Sequence, residues 1–270
     1  MRVRVKYSKQ GLMKFIGHLD MMRYFQKACR RAGIDVVYTE GLSPHMSMSF
    51  ALPLGVGMTS DSEYVDVDLK SALSSDVIVN ALNESAPEGI HFTDARQIPV
   101  GKAHKGMTLV SRADYTLRMT KEDPWDPSWP EEFICWLDQP EILVLKKGKK
   151  TEKEMNIRPL IYEAKFVSGG PPAKDLARPL STRQSPLKNN PEQPFSTQQP
   201  PPPEDLILSL SAGLDRNIRP ELVMQAFARQ TKREYQPFRF LINRDEVYAD
   251  LGKEGRHRFV PLIDLGERIP

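Results

Sequence analysis

The order of strand-like and helix-like patterns is the feature that most restricts the fold of this sequence. In the first part of the chain, apolar positions alternate as in strands or recur as on a helix face. The segments are strands at 3–7, 34–38, 46–50, 65–69 and 90–98, and helices at 18–32 and 75–85. The order is close to β-α-β-β-α-β, with one extra strand or a strand bent at a Ser-Pro-His turn. This is the order of a ferredoxin-like unit.

The second part of the chain repeats the order of elements without repeating the residues. Strands are expected at 115–119, 142–145, 206–210 and 238–242, and helices at 128–137 and after Pro220. Ser128 and Glu131 have the spacing of a capping box. We therefore predict an α+β fold of two ferredoxin-like (βαββαβ) halves packed together.

The predicted domain boundaries follow from this repeat and from one break in composition. Residues 1–104 form the first half, residues 105–250 the second half, and residues 251–270 a tail. A proline-rich insert at 168–203, with ten of the 23 prolines, interrupts the second half. Its low apolar content predicts a disordered or polyproline-like excursion, serving either as a docking arm or only as a tolerated long loop.

Composition and cysteine content place the chain in the cytoplasm. The N-terminus has no apolar signal-peptide core, and no apolar run approaches the ~20 residues that a membrane helix needs. Cys29 and Cys135 are the two cysteines, too few for a disulfide scaffold and without the spacing of a zinc or iron–sulfur site. We expect a cytoplasmic protein with no membrane contact, no metal site and no cofactor in this chain.

Positive charge is concentrated at the beginning of the chain. Residues 1–35 contain nine Lys and Arg against two acids, whereas the net charge of all 270 residues is only +3. A clustered field attracts a polyanion more strongly than the same charge spread evenly over the surface. We therefore expect a polyanionic partner to bind this segment.

The helix at 18–32 is predicted to be amphipathic, with methionine and aromatic side chains on its buried face. Four cations share the opposite face, and two more lie on the alternate positions of the first strand. These candidate phosphate-binding residues are Arg23, Lys27, Arg30, Arg31, Arg2 and Arg4. In the competing interpretation, Asp66 and Asp68 on a neighbouring strand pair with Arg2, Arg4 or Lys6, and the helix face is only solvated.

A candidate pocket involves the helix start and the Ser-Pro-His turn. It converges only if that turn folds back over the helix N-terminus, and its residues are His18, Asp20, Glu40, Ser43, Pro44 and His45. His18 and Asp20 are the catalytic candidates, as an acid–base or phosphate-binding pair. Alternatively, His18 caps the helix and Asp20 accepts first-turn N–H bonds or pairs with Arg23. We find no P-loop, dinucleotide fingerprint or nucleophile elbow.

Three motifs carry a resemblance to a known family: YSKQGLMKFIGHLDMMRYFQKACRRAG, EGLSPHMSMSFALPLGVG and SEYVDVDL. They closely resemble the radical-SAM-associated (radical SAM-linked) bacterial protein family, a domain of uncharacterised function, and they lie within residues 7–69. Gly17 stands where the family pattern has Ser, and Leu42-Ser43 where it has Phe-Asn. The change at Gly17 removes a possible hydroxyl beside His18.

The resemblance implies a radical SAM enzyme as partner, often in a ribosome and RNA-processing context. This chain lacks a C-x-x-x-C-x-x-C motif, so S-adenosylmethionine and the iron–sulfur cluster are expected on the partner. The double ferredoxin-like order is also similar to that of pseudouridine synthases, which use a catalytic aspartate. Asp20 is the only candidate for that role, and it lacks the G-R-T-D-A-G context.

Three hypotheses follow. The first is a non-catalytic accessory protein of a radical SAM enzyme that binds RNA or a ribosomal substrate through the basic helix. The second is a stand-alone RNA-modifying enzyme of pseudouridine-synthase type that uses Asp20. The third is a protein-only scaffold whose basic helix docks an acidic partner.

Overall fold

The computed structural model describes residues 1–120, 124–147, 152–168, 204–214, 216–253 and 255–270. Apart from Ser168, the predicted proline-rich insert lies outside these residues. The first half contains a short 3-10 helix at Gly11–Phe15 and six regular elements. These are β1 (Arg2–Lys9), α1 (His18–Arg31), β2 (Met48–Phe50), β3 (Thr59–Asp68), α2 (Ser75–Glu84) and β4 (Ile90–Ile98).

The second half begins with the short helix α3 (Gly106–Leu109), and further 3-10 turns lie at Arg158–Leu160 and Leu262–Leu265. Its strands are β5 (Val110–Met119), β6 (Leu143–Lys147), β7 (Glu152–Asn156), β8 (Ile161–Ser168), β9 (Glu204–Ser211), β10 (Phe240–Asp250), β11 (Phe259–Pro261) and β12 (Glu267–Arg268). Its longer helices are α4 (Trp129–Leu137) and α5 (Pro220–Gln230).

The architecture is α+β, with few helices on a mixed ten-stranded sheet. In the first half the strand order is β4-β1-β3-β2, and in the second it is β10-β5-β9-β8, with every neighbouring pair antiparallel. A short parallel contact joins β3 to β10, where Thr59 faces Asn243 and Ser60 faces Arg244. Strands β6 and β7 form a separate hairpin.

The hydrophobic core has two clusters, one under the helices of the first half and one centred on the second half that also includes buried side chains from residues 51–64. In the first half, Val3, Val5 and Tyr7 of β1 contact the apolar face of α1, where Phe25 is 1% exposed. The alternation predicted for this strand is therefore confirmed, and burying one such phenylalanine stabilises the fold by about 1.5–3 kcal/mol. Aromatic rings fill the second core, with Phe133 packed 5.1 Å from Phe227 between α4 and α5.

Residues 251–270, predicted as a tail, fold back onto both halves. Strand β11 pairs with the end of β10, and β12 pairs with β4 at the far edge of the sheet. Between them, the Leu262 carbonyl accepts a hydrogen bond from the buried Arg4 guanidinium at 2.9 Å. This segment and the α3 region contact the face of the first-half sheet that carries Arg4 and Asp66.

Three local predictions need correction. Residues 34–38 form only isolated bridges at Val36 and Tyr38 rather than a strand. Phe238 precedes β10 and has a φ of 66°, outside the strand region, because the chain turns there. Ser128 is not a capping-box residue: its backbone is already helical, and its hydroxyl contacts the side chains of Asp126 and Glu132.

Candidate nucleic-acid interface

Helix α1 carries most of the predicted site. Gly17 is its N-cap, with extended backbone and no side chain to accept a first-turn N–H bond. Gly33 follows its C-terminus with a φ of 66°, the left-handed conformation in which glycine commonly ends a helix. Met21, Phe25 and Cys29 are buried on the inner face, so the predicted amphipathic character is confirmed.

The outer face of α1 holds four exposed cations: Arg23, Lys27, Arg30 and Arg31. Arg23 forms an exposed ion pair with Asp20. The other three have no carboxylate within ion-pair distance in the described part of the chain. Over the ~12 Å from Arg23 to Arg31, this face therefore presents positive charge that the described structure does not neutralise.

Asp20 and His18 both lie in the first turn of α1, where they contact different partners. The Asp20 carboxylate is 63% exposed and accepts a hydrogen bond from Arg23 Nη1 at 3.0 Å. The imidazole of His18 packs edge-on against the Phe50 ring, with 5.1 Å between the centroids. His18 is the first helical residue rather than the cap, so its predicted capping role is wrong. The prediction that Asp20 pairs with Arg23 is confirmed.

The Ser-Pro-His turn closes on itself. The His45 Nδ1 atom lies 3.0 Å from Thr39 Oγ1 and 3.3 Å from the Ser43 carbonyl oxygen, and the His45 backbone N–H donates to the same threonine hydroxyl. Glu40, Ser43 and Pro44 are exposed around it. These contacts fix the shape of the turn and leave its side chains facing solvent.

The predicted pocket does not converge. The turn lies near the C-terminal end of α1, where the Arg30 guanidinium approaches the Tyr38 hydroxyl at 3.5 Å. His18 is at the opposite end, ~18 Å away along the helix axis. The chain then returns through β2 to place Phe50 beside His18. His18 and His45 therefore mark the two ends of the helix instead of one pocket.

Arg2 and Arg4 are not available to bind phosphate, because both pair with aspartates of β3. Arg2 donates to both carboxylate oxygens of Asp68, at 2.7 and 3.0 Å, and the Asp68 pKa is held below its usual range. There, hydrogen bonds from Arg2 and from the Ser47 hydroxyl outweigh the opposing effect of burial. Arg4 is fully buried and donates to both oxygens of Asp66 at 2.8 and 3.1 Å. The competing interpretation of these two arginines is therefore correct.

Two groups of interacting residues were missed by the sequence analysis. One is the buried ion pair of Arg244 with Glu63, between β10 and β3. The other is a set of aromatic rings on the second half, which includes Tyr162, His257 and Phe259. The members of each group are far apart in the chain, so no local spacing indicates them. The only local signal is the basic, aromatic end of the segment after β10.

Metal and membrane sites have no support in the described structure. Over those residues, no group of three or more His, Cys, Asp and Glu side chains could hold a metal ion. Cys29 is buried, and burial raises the pKa of its thiol to about 11. None of the described helices is both long and apolar enough to span a bilayer.

Comparison with protein-family models shows the family to which this chain belongs. A family model described as an uncharacterised protein conserved in bacteria, DUF2344, matches residues 2–188. The chain belongs to the DUF2344 family. The matched range contains the whole of α1, the Ser-Pro-His turn and the ion pairs of Arg2 with Asp68 and of Arg4 with Asp66 in this DUF2344 protein. No curated protein sequence matches it.

Proposed function

We propose that this DUF2344 protein is a non-catalytic accessory protein that binds RNA through the outer face of α1. The observation that carries the proposal is the exposed row of Arg23, Lys27, Arg30 and Arg31, three of them without a carboxylate partner in the described structure. Cations on a rigid helix bind a phosphate backbone because each neutralised phosphate releases counterions.

The contrast with the other arginines of the same segment supports this choice. Arg4 pairs with the buried Asp66 and Arg2 with the partly buried Asp68, so the charge of both arginines is neutralised within the fold. The helix cations instead lie in solvent, and their long side chains can adapt to successive phosphates. Asp20 contributes the one negative charge on this face, and its exposed ion pair does not supply the desolvated setting of a catalytic carboxylate.

A radical SAM enzyme is the proposed partner, and the cytoplasm the proposed location. The support is the resemblance of residues 7–69 to the radical-SAM-associated family. The chain has only two cysteines, so it cannot supply the three ligands of the C-x-x-x-C-x-x-C motif that holds the iron–sulfur cluster. The enzyme would therefore bring S-adenosylmethionine and the iron–sulfur cluster, and this protein would present RNA or a ribosomal substrate to it.

The finer description of the fold is also a proposal. We infer that each half is a ferredoxin-like unit and that the chain is a duplication of that unit, as in pseudouridine synthases. The support is that β4-β1-β3-β2 and β10-β5-β9-β8 have the same connectivity, with helices α1 and α2 corresponding to α4 and α5.

Salt-dependent RNA binding tests the proposal. A fluorescein-labelled RNA hairpin is titrated with the protein at several KCl concentrations, and anisotropy reports the Kd. The wild type should lose affinity steeply with salt. Lys27→Glu with Arg31→Glu should weaken binding at least tenfold and reduce the slope of log K against log salt by about 1.4–1.8, if two phosphate contacts are lost.

A charge-matched control separates local contact from net charge. Arg216→Glu with Arg229→Glu changes the net charge equally at exposed positions of the second half. It should bind nearly as the wild type does. Salt-insensitive binding, no binding, or equal losses in the two double variants would sink the proposal. Co-purification from native cells then tests for RNA and a radical SAM enzyme together; an acidic protein alone would favour the scaffold hypothesis.

A further inference from the structure

Aromatic side chains from three strands or their flanking loop meet on the second half of the sheet. Tyr162 of β8 lies 5.3 Å from His257 and 5.1 Å from Phe259 of β11, measured between ring centroids. The rings of His257 and Phe259 are stacked, 5.1 Å apart and inclined by 14°. We call Tyr162, His257 and Phe259, together with Tyr248 of β10, the aromatic platform.

An arginine fixes the inner side of the aromatic platform. The Arg112 guanidinium lies 5.1 Å from the Tyr248 ring centroid and 5.0 Å from that of Phe259. It also donates to Asp114 Oδ1 and to Ser209 Oγ, both at 2.7 Å. These contacts satisfy the cation and hold the two rings in place, so the platform is preorganised.

The platform lies on the sheet face that α4 and α5 leave uncovered. Arg112 and Asp114 alternate along β5 with Ala113 and Tyr115, which are buried in the core beneath the helices. The platform rings are only partly buried. Partly exposed aromatic rings in mutual contact, on a face that none of the described helices covers, are typical of a binding surface.

The orientation of the His257 ring is set by a carboxylate. Its Nδ1 atom lies 2.6 Å from Asp250 Oδ2, and Asp250 Oδ1 accepts from the backbone N–H groups of Gly252 and Arg258. These hydrogen bonds outweigh partial burial and hold the pKa of Asp250 below its usual range. The His257 side chain remains 54% exposed while its ring is stacked on that of Phe259.

Cations lie beside His257 along the chain. Lys253, Arg256 and Arg258 are exposed in the connection between β10 and β11. Within the described ranges, none of the three has a carboxylate within ion-pair distance. The platform therefore combines free aromatic faces with nearby positive charge. A nucleotide offers the complementary pair, a flat base and a phosphate.

We infer that the aromatic platform stacks an unpaired base of single-stranded RNA, while Lys253, Arg256 and Arg258 contact the adjacent phosphates. Bases within a duplex are already stacked on their neighbours, so the platform selects single-stranded segments. This inference rests on the proposed RNA binding and adds a substrate class to it: RNA that carries an unpaired segment.

The test compares a short single-stranded RNA containing 2-aminopurine with a duplex of the same sequence. Wild-type protein should quench the 2-aminopurine fluorescence of the single strand as the base stacks. His257→Ala and, separately, Tyr162→Ala should weaken single-strand binding about five- to 100-fold, remove the quenching, and leave duplex binding and the salt slope unchanged. His257→Phe, which keeps an aromatic face, should retain both affinity and quenching.

His91→Ala is the matched control, because His91 is an exposed histidine on β4 at the other end of the sheet. It should behave as the wild type does. Unchanged single-strand affinity in both alanine variants, or equal losses in His257→Phe and His257→Ala, overturns the platform and leaves the helix proposal standing. Absence of any wild-type RNA binding overturns both. Platform variants that lose an acidic protein partner but no RNA would also overturn it.

Discussion

The Arg244 guanidinium and the Glu63 carboxylate form an ion pair inside the protein, with only 3% and 5% of their side chains exposed. Arg244 Nε donates to Glu63 Oε1 at 2.9 Å, which connects β10 of the second half to β3 of the first. The pair lies beside the two-residue parallel contact between these strands. It therefore stabilises the junction of the two halves.

Glu63→Ala is expected to lower the free energy of unfolding by about 3–5 kcal/mol, because it leaves a buried guanidinium without its counter-charge. Glu63→Leu with Arg244→Met should cost less than the sum of the single changes, since no charge remains buried. Urea denaturation of the single and double variants measures this. A loss below about 1 kcal/mol in Glu63→Ala would contradict the role of the pair.

Gly17→Ser should stabilise the protein by about 0.5–1 kcal/mol, because the extended N-cap backbone suits serine and no atom lies within 4 Å of a new Cβ. The same substitution at Gly33 should destabilise by about 1–2 kcal/mol, since its φ is 66°. Thermal denaturation compares the two variants. Equal shifts would show that neither terminus of α1 has the described geometry.

Asp20→Asn should change stability by less than about 0.5 kcal/mol, because its ion pair with Arg23 is exposed. It should also strengthen RNA binding modestly by removing the negative charge from the cationic face of α1. Anisotropy titration and complementation of a deletion strain measure the two effects. Loss of complementation with intact RNA binding would instead favour the stand-alone enzyme.

Asp245 should make stability depend on pH. Burial, with a smaller effect of Asp61 and Asp114, raises its pKa to about 6, although Thr116 and Asn243 hydrogen-bond to it. Because the folded state then holds the proton more tightly than the unfolded state, this group lowers the free energy of unfolding as pH rises from about 4 to about 6. The expected decrease is about 3 kcal/mol.

Asp245→Asn should remove that decrease. The variant should be more stable than the wild type at pH 7 and similar to it near pH 4, with Asp20→Asn as an exposed control. Urea denaturation across this pH range measures the difference. Identical pH profiles for wild type and Asp245→Asn would show that Asp245 is not desolvated.

The two thiols should differ sharply in reactivity. Cys135 is exposed, whereas Cys29 is buried with its pKa raised to about 11 by that burial. Iodoacetamide should modify Cys135 alone in the folded protein and both cysteines in denaturant, as read by peptide mass spectrometry. Rapid modification of Cys29 without denaturant would indicate that α1 opens.

Local patterns predicted the four longer helices and most of the strands, but not β7, β8, β11 and β12 and not which elements pair. The start and end of α1, its buried face and its cationic face follow from residues within one segment, as does the stop at Gly33. The burial of Arg4 depends on Asp66 and on the Leu262 carbonyl, which are distant in the chain. Arg4 and Arg31 contribute equally to the net charge of residues 1–35, although only Arg31 is exposed.

Only part of the candidate site was predicted, again because local patterns do not show which segments meet in the fold. The cations of α1 are on one face because the helix period places them there. Whether the His45 turn lies over the beginning or the end of that helix depends on how residues 34–46 pack. The periodicity of apolar residues does not determine this packing. The platform rings of Tyr162 and His257 come from separate segments, so their contact is a property of the assembled sheet.

The return of residues 259–268 to the first half has a consequence for biosynthesis. Strand β12 pairs with β4, and Leu262 supplies the acceptor for buried Arg4. A ribosome makes about 5–20 residues per second. Several seconds to tens of seconds therefore pass between the synthesis of the first half and the synthesis of these partners. During that interval β4 lacks its edge partner, and one N–H group of Arg4 lacks its acceptor although Asp66 already pairs with the guanidinium. The unpaired edge of β4 is then the feature of the nascent chain that a chaperone would bind.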